Sequence, residues 1–441
     1  MRVLGGHPPS VAVEERWASS GLGARIGIRH GPAAAAARRR AAGRERSTLD
    51  IRRGSRSPVP VTPLRRARRA GLLAALATLP FAAAYRFALV YRVRAGYPKR
   101  FPPAHDPSSL GLAFEALDIP THDGLRLPAW WIPAGPDPAP GVVLVHGWES
   151  ARDRTLPHAQ VLHAIGMHVL TIDVRGHGAN GPEELPMSVG EYALDARAAV
   201  TALRDRPEVT TIGILGHSMG AAGSLVAAAT DPQVDAVIAV AAPADPSRLT
   251  RQTFRLARLP IPGVVAWPLA WLTTRVYLQP RGHTIASVSA SHAVRAIRVP
   301  VLLVHGTDDG VVPVADLGRL AATRRAARPE AVTQTLTVEG GKHSWLYEFP
   351  EYRATIARFL ATNLGGPLTP DESASVARAV PAQRLPDPER LVTLDEEPGG
   401  FRSLSRLLRR REGAAPTPAG LDDADVEPPT SGGLSAEGFD A

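Results

Sequence analysis

From about residue 110 the chain settles into a repeating alternation of apolar patterns. Short β-branched runs, GVVLVHG, HVLTIDVRGHG, TIGILGHS, VDAVIAVAAP, VPVLLVHGTDD and TQTLTVEGG, each end in glycine or polar turn residues and read as strands. Between them, SVGEYALDARAAVTALRDR and VADLGRLAATRRAAR carry apolar residues at helical spacing. The strand runs are apolar on both faces, which requires helices on both sides of the sheet. The pattern therefore predicts an α/β fold with a mostly parallel central sheet flanked by helices. Upstream, ALDIPTHDGLRLPAWWIPA reads as an antiparallel hairpin turning at His122-Asp123-Gly124 and forming one sheet edge. The alternation holds from about 110 to 365 and is broken once. Residues 244 to 298 separate two strands by more than a crossover helix needs, and contain LPIPGVVAWPLAWLTTRVYLQP.

Outside this region the composition changes. Residues 1–64 are rich in Arg and Ala but poor in large apolar groups, so they cannot offset their ordering entropy and read as a disordered basic arm. Residues 65–94 contain an apolar run from Gly71 to Tyr91 of about the length a bilayer requires. It reads as a membrane anchor or an amphipathic helix, with Pro80 expected to kink it and Arg86 to snorkel. Basic residues flank both ends, with a slight lean towards a cytoplasmic N-terminus and a main domain outside the cytoplasm. Residues 366–441, rich in Pro, Gly and acidic groups, read as a disordered tail interrupted by the basic stretch FRSLSRLLRRRE. The net charge of +9 changes this picture little. Arginines outnumber acids about four to one in the first seventy residues, so the charge belongs to the arm. That arm has neither interleaved aromatics nor a recognition module, and nucleic acid is not expected as a partner. With no cysteine in the chain, disulfides and thiolate metal sites are excluded.

Candidate chemistry sits in IGILGHSMGAAGS, where Ser218 lies between Gly216 and Gly220. An apolar strand precedes it and a small-residue helix follows, the strand–turn–helix setting of a nucleophile elbow. Larger side chains at 216 and 220 would collide in so tight a turn. The free N–H groups at the helix start would face a developing oxyanion. A serine needs a base to take its proton. His217 is adjacent on the turn and points elsewhere, so His343, in VEGGKHSW after a later strand, is the better candidate. The imidazole needs an acid to hold its tautomer. Asp309 in VLLVHGTDDGVVP is best placed, just before the Val312-Pro313 pair that would start the next helix. Asp308 is the near alternative and Asp245 a more distant third. His146, His177 and His305 occupy His-Gly turns that suit structural or substrate-lining roles, and Arg175 reads as a loop brace. His, Asp and Glu show no metal-site spacing, so neither metal nor cofactor is expected.

VVLVHGWES, IDVRGHGAN, GHSMG, VHGTDDGVVP and GGKHSW, over about residues 112–364, together resemble the α/β-hydrolase superfamily. The resemblance is to its bacterial serine-hydrolase branches, grouped with S33-type aminopeptidases and BEM46-like or S9-like hydrolases. It implies the α/β-hydrolase fold, with residues 244–298 as a helical cap over the serine. It also implies Ser218 as nucleophile, His343 as base and Asp309 as acid. The amides of Trp148 and Met219 are implied to form the oxyanion hole. Both lie in glycine-flanked turns at the carboxyl end of the sheet, where open α/β sheets bind ligands.

The expected activity is hydrolysis of a carboxylic ester or related acyl bond through an acyl-enzyme. The expected substrate is a small acyl compound, apolar if Trp267 and Trp271 of the cap line its pocket rather than pack the cap itself. An aminopeptidase or acyltransferase on the same residues, or a catalytically silent membrane-tethered binding protein, are the competing readings. Nothing in the pattern specifies an oligomeric state.

Overall fold

The computed structural model describes residues 63–382 and 384–385. The basic arm, and the tail from 386 onwards, lie outside the described residues. Helix α1, Pro63–Ala95, contains Pro80 within its length. Its most apolar window has a mean hydropathy of 1.6, and only 6% of that window is buried. By length and composition α1 is long and apolar enough to cross a membrane, and its exposure distinguishes it from a core helix.

Strands β1, Glu115–Pro120, and β2, Arg126–Ile132, form the antiparallel edge hairpin. Then come β3, Ala139–Val145; helix α2, Leu156–Ala164; β4, His168–Ile172; α3, Val189–Arg204; and β5, Val209–His217. Helix α3 opens on a capping box, with the Ser188 hydroxyl accepting from the Gly190 amide and the Glu191 carboxylate from the Ser188 amide. After β5 the chain forms α4, Met219–Thr230, and β6, Ala236–Val240. The long insertion holds α5, Pro246–Leu256; α6, Gly263–Leu278; and the short α7, Ala290–Ala293. Strand β7, Val301–Gly306; α8, Ala315–Ala327; β8, Thr333–Val338; and α9, Pro350–Leu364, follow.

The eight strands lie in the order β1-β2-β4-β3-β5-β6-β7-β8, parallel from β4 to β8. Strand β3 therefore has β4 on one side and β5 on the other, because the chain reverses its direction of travel across the sheet there. This is a topological switch point, and the crevice beyond the carboxyl ends of β3 and β5 is where such sheets take ligands. Side-chain alternation sorts the core into two layers. Val143 and Val145 join Tyr192 and Leu203 of α3 and Leu225 of α4 on one face. Val142 and Leu144 join Leu162 of α2 and Phe359 and Leu360 of α9 on the other.

Three expectations need correction. The chain does not become irregular at 366: helix α10, Pro370–Ala379, follows and is opened by a capping box between Thr369 and Glu372. Arg353 of α9 secures it by donating to the carbonyls of Ala377 (3.0 Å) and Arg378 (2.8 Å). Helix α8 begins at Ala315, slightly later than the Val312-Pro313 pair suggested. Trp267 and Trp271 of α6 are 39% and 51% exposed, so neither is enclosed in a pocket wall or in the interior of the cap.

One buried charge holds the approach to β7. Arg324 of α8 is fully buried and donates to the carbonyls of Ile297 (2.6 Å) and Val299 (2.5 Å) and to the Thr333 hydroxyl (3.1 Å). Burial, and then the neighbouring Arg328, lower it to about 10, so it is protonated at neutral pH. Arg324→Ala would leave these carbonyls without their donor. An unsatisfied buried group costs about 1–3 kcal/mol, so urea unfolding should show a loss of about 2–4 kcal/mol.

Candidate active site

Between the last residue of β5 and the first of α4, Ser218 alone reverses the chain. It does so at φ 55° and ψ −116°, a region strained for any residue with a side chain. Its amide donates to the Val240 carbonyl at 2.8 Å, pinning the turn to β6. So sharp a reversal drives the helix start into the end of β3. A Cβ on Gly220 would stand 2.4 Å from the carbonyl oxygens of both Val145 and His146. A Cβ on Gly216 would stand 2.4 Å from the Gly220 oxygen. Neither position accepts a larger residue unless backbone moves.

The same packing sets the start of α4 and the loop after β3 beside the serine. Met219 is the first residue of α4, so its N–H has no intrahelical acceptor and sits at the positive end of the helix dipole. The loop after β3 passes alongside: a Cβ on Gly147 would come 3.3 Å from the Ser218 Cβ, and Trp148 follows directly. His146 braces this loop, donating from Nδ1 to the Gly147 carbonyl (2.7 Å) and accepting at Nε2 from the Val174 amide (3.1 Å).

The structure brings Ser218, His343 and Asp309 into one hydrogen-bonded row. His343 Nε2 lies 3.0 Å from Ser218 Oγ, and His343 Nδ1 lies 2.8 Å from Asp309 Oδ2. Since a carboxylate only accepts, Nδ1 carries the proton and Nε2 is left to accept from the hydroxyl. Ser218 is 8% exposed and His343 3%, so the pair is largely shielded from bulk water. Asp309 is saturated with donors. Its Oδ1 accepts from the amides of Val311 and Val312, both at 2.8 Å, and its Oδ2 lies 2.9 Å from His305 Nε2, whose N–H is shared with the Val312 carbonyl at 3.0 Å. Burial works to raise the carboxyl, but the charge of His343 and the hydrogen bonds from both histidines outweigh it. They hold Asp309 well below the usual carboxylate range, so it stays ionised down to strongly acidic pH.

The other candidates fall elsewhere. Asp308 is exposed and accepts from the Thr307 hydroxyl at 3.2 Å. Asp245 caps α5, accepting from the amides of Ser247 and Arg248. His217 Nε2 donates to the His343 carbonyl at 2.8 Å, so it supports the loop bearing that imidazole. His177 is held between the Arg175 carbonyl (3.0 Å) and the Tyr192 hydroxyl (3.0 Å). Trp148 packs edge-on to His177 at 5.4 Å.

Known proteins repeat this arrangement of chain and sheet. Residues 136–296 match the family model described as serine aminopeptidase, S33. The Mycobacterium tuberculosis protein Rv2307c is 31% identical over 232 residues, spanning 52% of this chain and 73% of its own. The chain belongs to the α/β-hydrolase superfamily. The Bacillus subtilis protein YqkD is 27% identical over 253 residues, covering 56% of this chain and 78% of its own. Among solved structures, a Pyrococcus furiosus esterase superposes with a TM-score of 0.50 at 21% identity, over 61% of this chain and 97% of that one. The chain is thus a hydrolase.

Two supports of this hydrolase site were legible only in outline, His305 as a structural or substrate-lining residue and Arg175 as a loop brace, without their partners. His305 is the second imidazole on Asp309. Arg175, buried after β4, donates to Asp195 of α3 from Nε (2.8 Å) and Nη2 (2.6 Å) and reaches Asp123 in the hairpin turn from Nη1 (2.5 Å). Burial opposes its charge, but the hydrogen bonds and charge of Asp195, then those of Asp123, hold it above its ordinary value. The available signal was Asp195 itself, an acid on the apolar stripe of α3, which demands a buried partner. Because Gly220 meets backbone on its open side, Gly220→Ala should displace the start of α4 from β3. Overpacking of this kind costs about 1–3 kcal/mol, measurable by thermal unfolding, and the hydrolytic rate should fall by more than the stability loss explains.

Proposed function

We propose that this hydrolase cleaves a carboxylic ester of a small acyl substrate through an acyl-enzyme on Ser218. The observation that carries the reading is the row Ser218–His343–Asp309, with the imidazole 3.0 Å from the hydroxyl and 2.8 Å from the carboxylate. As Ser218 Oγ bonds to the substrate carbonyl carbon, its proton passes to His343 Nε2. The carbonyl oxygen becomes an oxyanion, held by the amides of Trp148 and Met219, a contribution that ranks among the largest in acyl transfer. Asp309, kept ionised, stabilises the imidazolium that forms. His343 returns the proton to the leaving alcohol as the ester C–O bond breaks. Water then repeats the cycle, releasing the acid and restoring Ser218.

The description of the matching family model favours a second reading, an aminopeptidase. That activity needs a charged carboxylate for the substrate's ammonium group. Glu149, beside Trp148, is the acid nearest in sequence, but it accepts from the Lys99 amide at 3.2 Å and burial pushes its carboxyl up. Its carboxylate is thus partly engaged by backbone, and an ester is preferred on that ground. The reading also takes α1 as a membrane anchor, supported by its length, apolarity and exposure. The apolar substrate class follows from that location.

Steady-state kinetics on p-nitrophenyl esters of graded acyl length, run beside aminoacyl p-nitroanilides, test this proposal. Ser218→Ala should abolish turnover, and Asp309→Asn should lower kcat by about 10⁴-fold with little change in KM. A higher kcat/KM on the aminoacyl amides than on any ester would replace the ester reading with the aminopeptidase. Substantial ester turnover by the Ser218→Ala variant would reject both.

A further inference from the structure

The insertion between β6 and β7 has a surface that the chemistry above does not use. Residues 246–282 contain six arginines and no acidic residue. Among the described residues, only Arg281 of the six forms an ion pair, with Glu183 and Glu191. Arg248 and Arg251 lie over the ring of Trp267, at 5.1 and 4.3 Å from its centroid, and Arg275 lies over Trp271 at 5.5 Å. Val264 at the start of α6 is 87% exposed, and Val265 beside it 46%. Exposed tryptophan and aliphatic side chains ringed by uncompensated arginines suit the boundary between lipid headgroups and hydrocarbon.

The position of α1 makes this surface more than a stray patch. Phe87 of α1 packs on the insertion, its ring edge-on to Phe254 of α5 with centroids 5.5 Å apart, and the helix from Arg65 to Ala83 is exposed. Tyr91 adds a second ring contact to Phe254 (5.8 Å) and shares a hydrogen bond with Thr253 (2.8 Å). The apolar run free of the body thus extends only from Gly71 to Arg86. At the helical rise of 1.5 Å per residue this is about 24 Å, short of the roughly 30 Å hydrocarbon core. Residues 87–91 are needed to complete a span, and they are the residues on which the insertion packs. An α1 that crosses the bilayer therefore draws the insertion down to the headgroups.

Helix α6 is oriented to meet them. Its last turn adjoins the C-terminal end of α1, where Arg92 donates to the Val276 carbonyl (3.2 Å) and Tyr277 to the Ala95 carbonyl (3.3 Å). Leu259, just ahead of α6, lines a small cleft with Phe87 and Val90. The first turn of α6, bearing Val264 and Val265, thus lies towards the free end of α1.

We propose that the face of the insertion formed by Val264, Trp267, Trp271 and their surrounding arginines docks on the surface of the anionic bilayer that α1 enters. The proposal deepens the membrane reading of α1 given above and rests on it. Docking sets α6 at the headgroups and neutralises the arginines of the insertion with lipid phosphates.

Because the chain has no cysteine, single labels can be introduced cleanly. Full-length Val264→Cys and Leu76→Cys variants, each carrying an environment-sensitive fluorophore, would be reconstituted into phosphatidylcholine vesicles with and without phosphatidylglycerol. Brominated lipids would serve as quenchers. Strong quenching at both positions, greater at 264 when phosphatidylglycerol is present, is expected. Adding Arg255→Glu, Arg258→Glu and Arg275→Glu should weaken docking at least about fivefold per charge, lowering quenching at 264 and leaving 76 unchanged. Quenching at 76 without quenching at 264 would overturn the docking face and leave the anchor standing. Quenching at 264 alone would support the docking face and remove the anchor, and quenching at neither would overturn both. Quenching at 264 that ignores the arginine replacements would overturn the assignment to anionic lipid.

Discussion

Everything near the site depends on reversing the chain within one residue between β5 and α4. That constraint puts Ser218 at positive φ, requires glycine at 216 and 220, and presses the helix start against the carbonyls of Val145 and His146. Backbone strain of this kind costs on the order of 1–3 kcal/mol and persists only where the surroundings over-determine it. Here the determinants are visible: the Ser218 amide bound to Val240, a parallel sheet apolar on both faces, and a helix of small residues that can lie close to it. What the strain secures is position. The hydroxyl, the Met219 amide at the start of α4 and the loop carrying Trp148 all meet at the switch point of the sheet.

The partners of that hydroxyl come from two other strand ends, and electrostatics rather than packing keeps them aligned. Asp309 receives two backbone amides and two imidazoles. The amides fix the carboxylate to its own turn, so its orientation does not depend on His343. His217 holds the His343 carbonyl from the other side. Farther out, Arg175 ties the hairpin turn to the loop after β4 and to α3. Each of these is a charge or dipole met by a complementary group, as burial demands.

Much of this was legible in the chain. The strand runs, the glycine-flanked serine and the distant imidazole are local signals, because strand period, turn sterics and residue order are written in short stretches. The place before Val312-Pro313 favours Asp309 over Asp308, but the contact that secures it, a carboxylate facing the amides of Val311 and Val312 rather than solvent, is not written in the sequence. Helix α10 was hidden by composition: Pro, Gly and acidic residues suggested a tail, although Thr369 and Glu372 spell a capping box. Trp267 and Trp271 misled in the opposite sense. Their size suggested a pocket lining or buried packing, but a tryptophan covered by arginine can stand at the surface, and for Trp267 that pairing needs two helices brought together.

Covalent trapping tests the central claim most directly. The intact chain would be treated with a fluorophosphonate, digested, and its adduct located by mass spectrometry, in parallel with a His343→Ala variant. The account predicts a single adduct on Ser218 that forms rapidly in the native chain and barely at all in the variant. An adduct on another residue, or modification of Ser218 at the same rate without the imidazole, would contradict it.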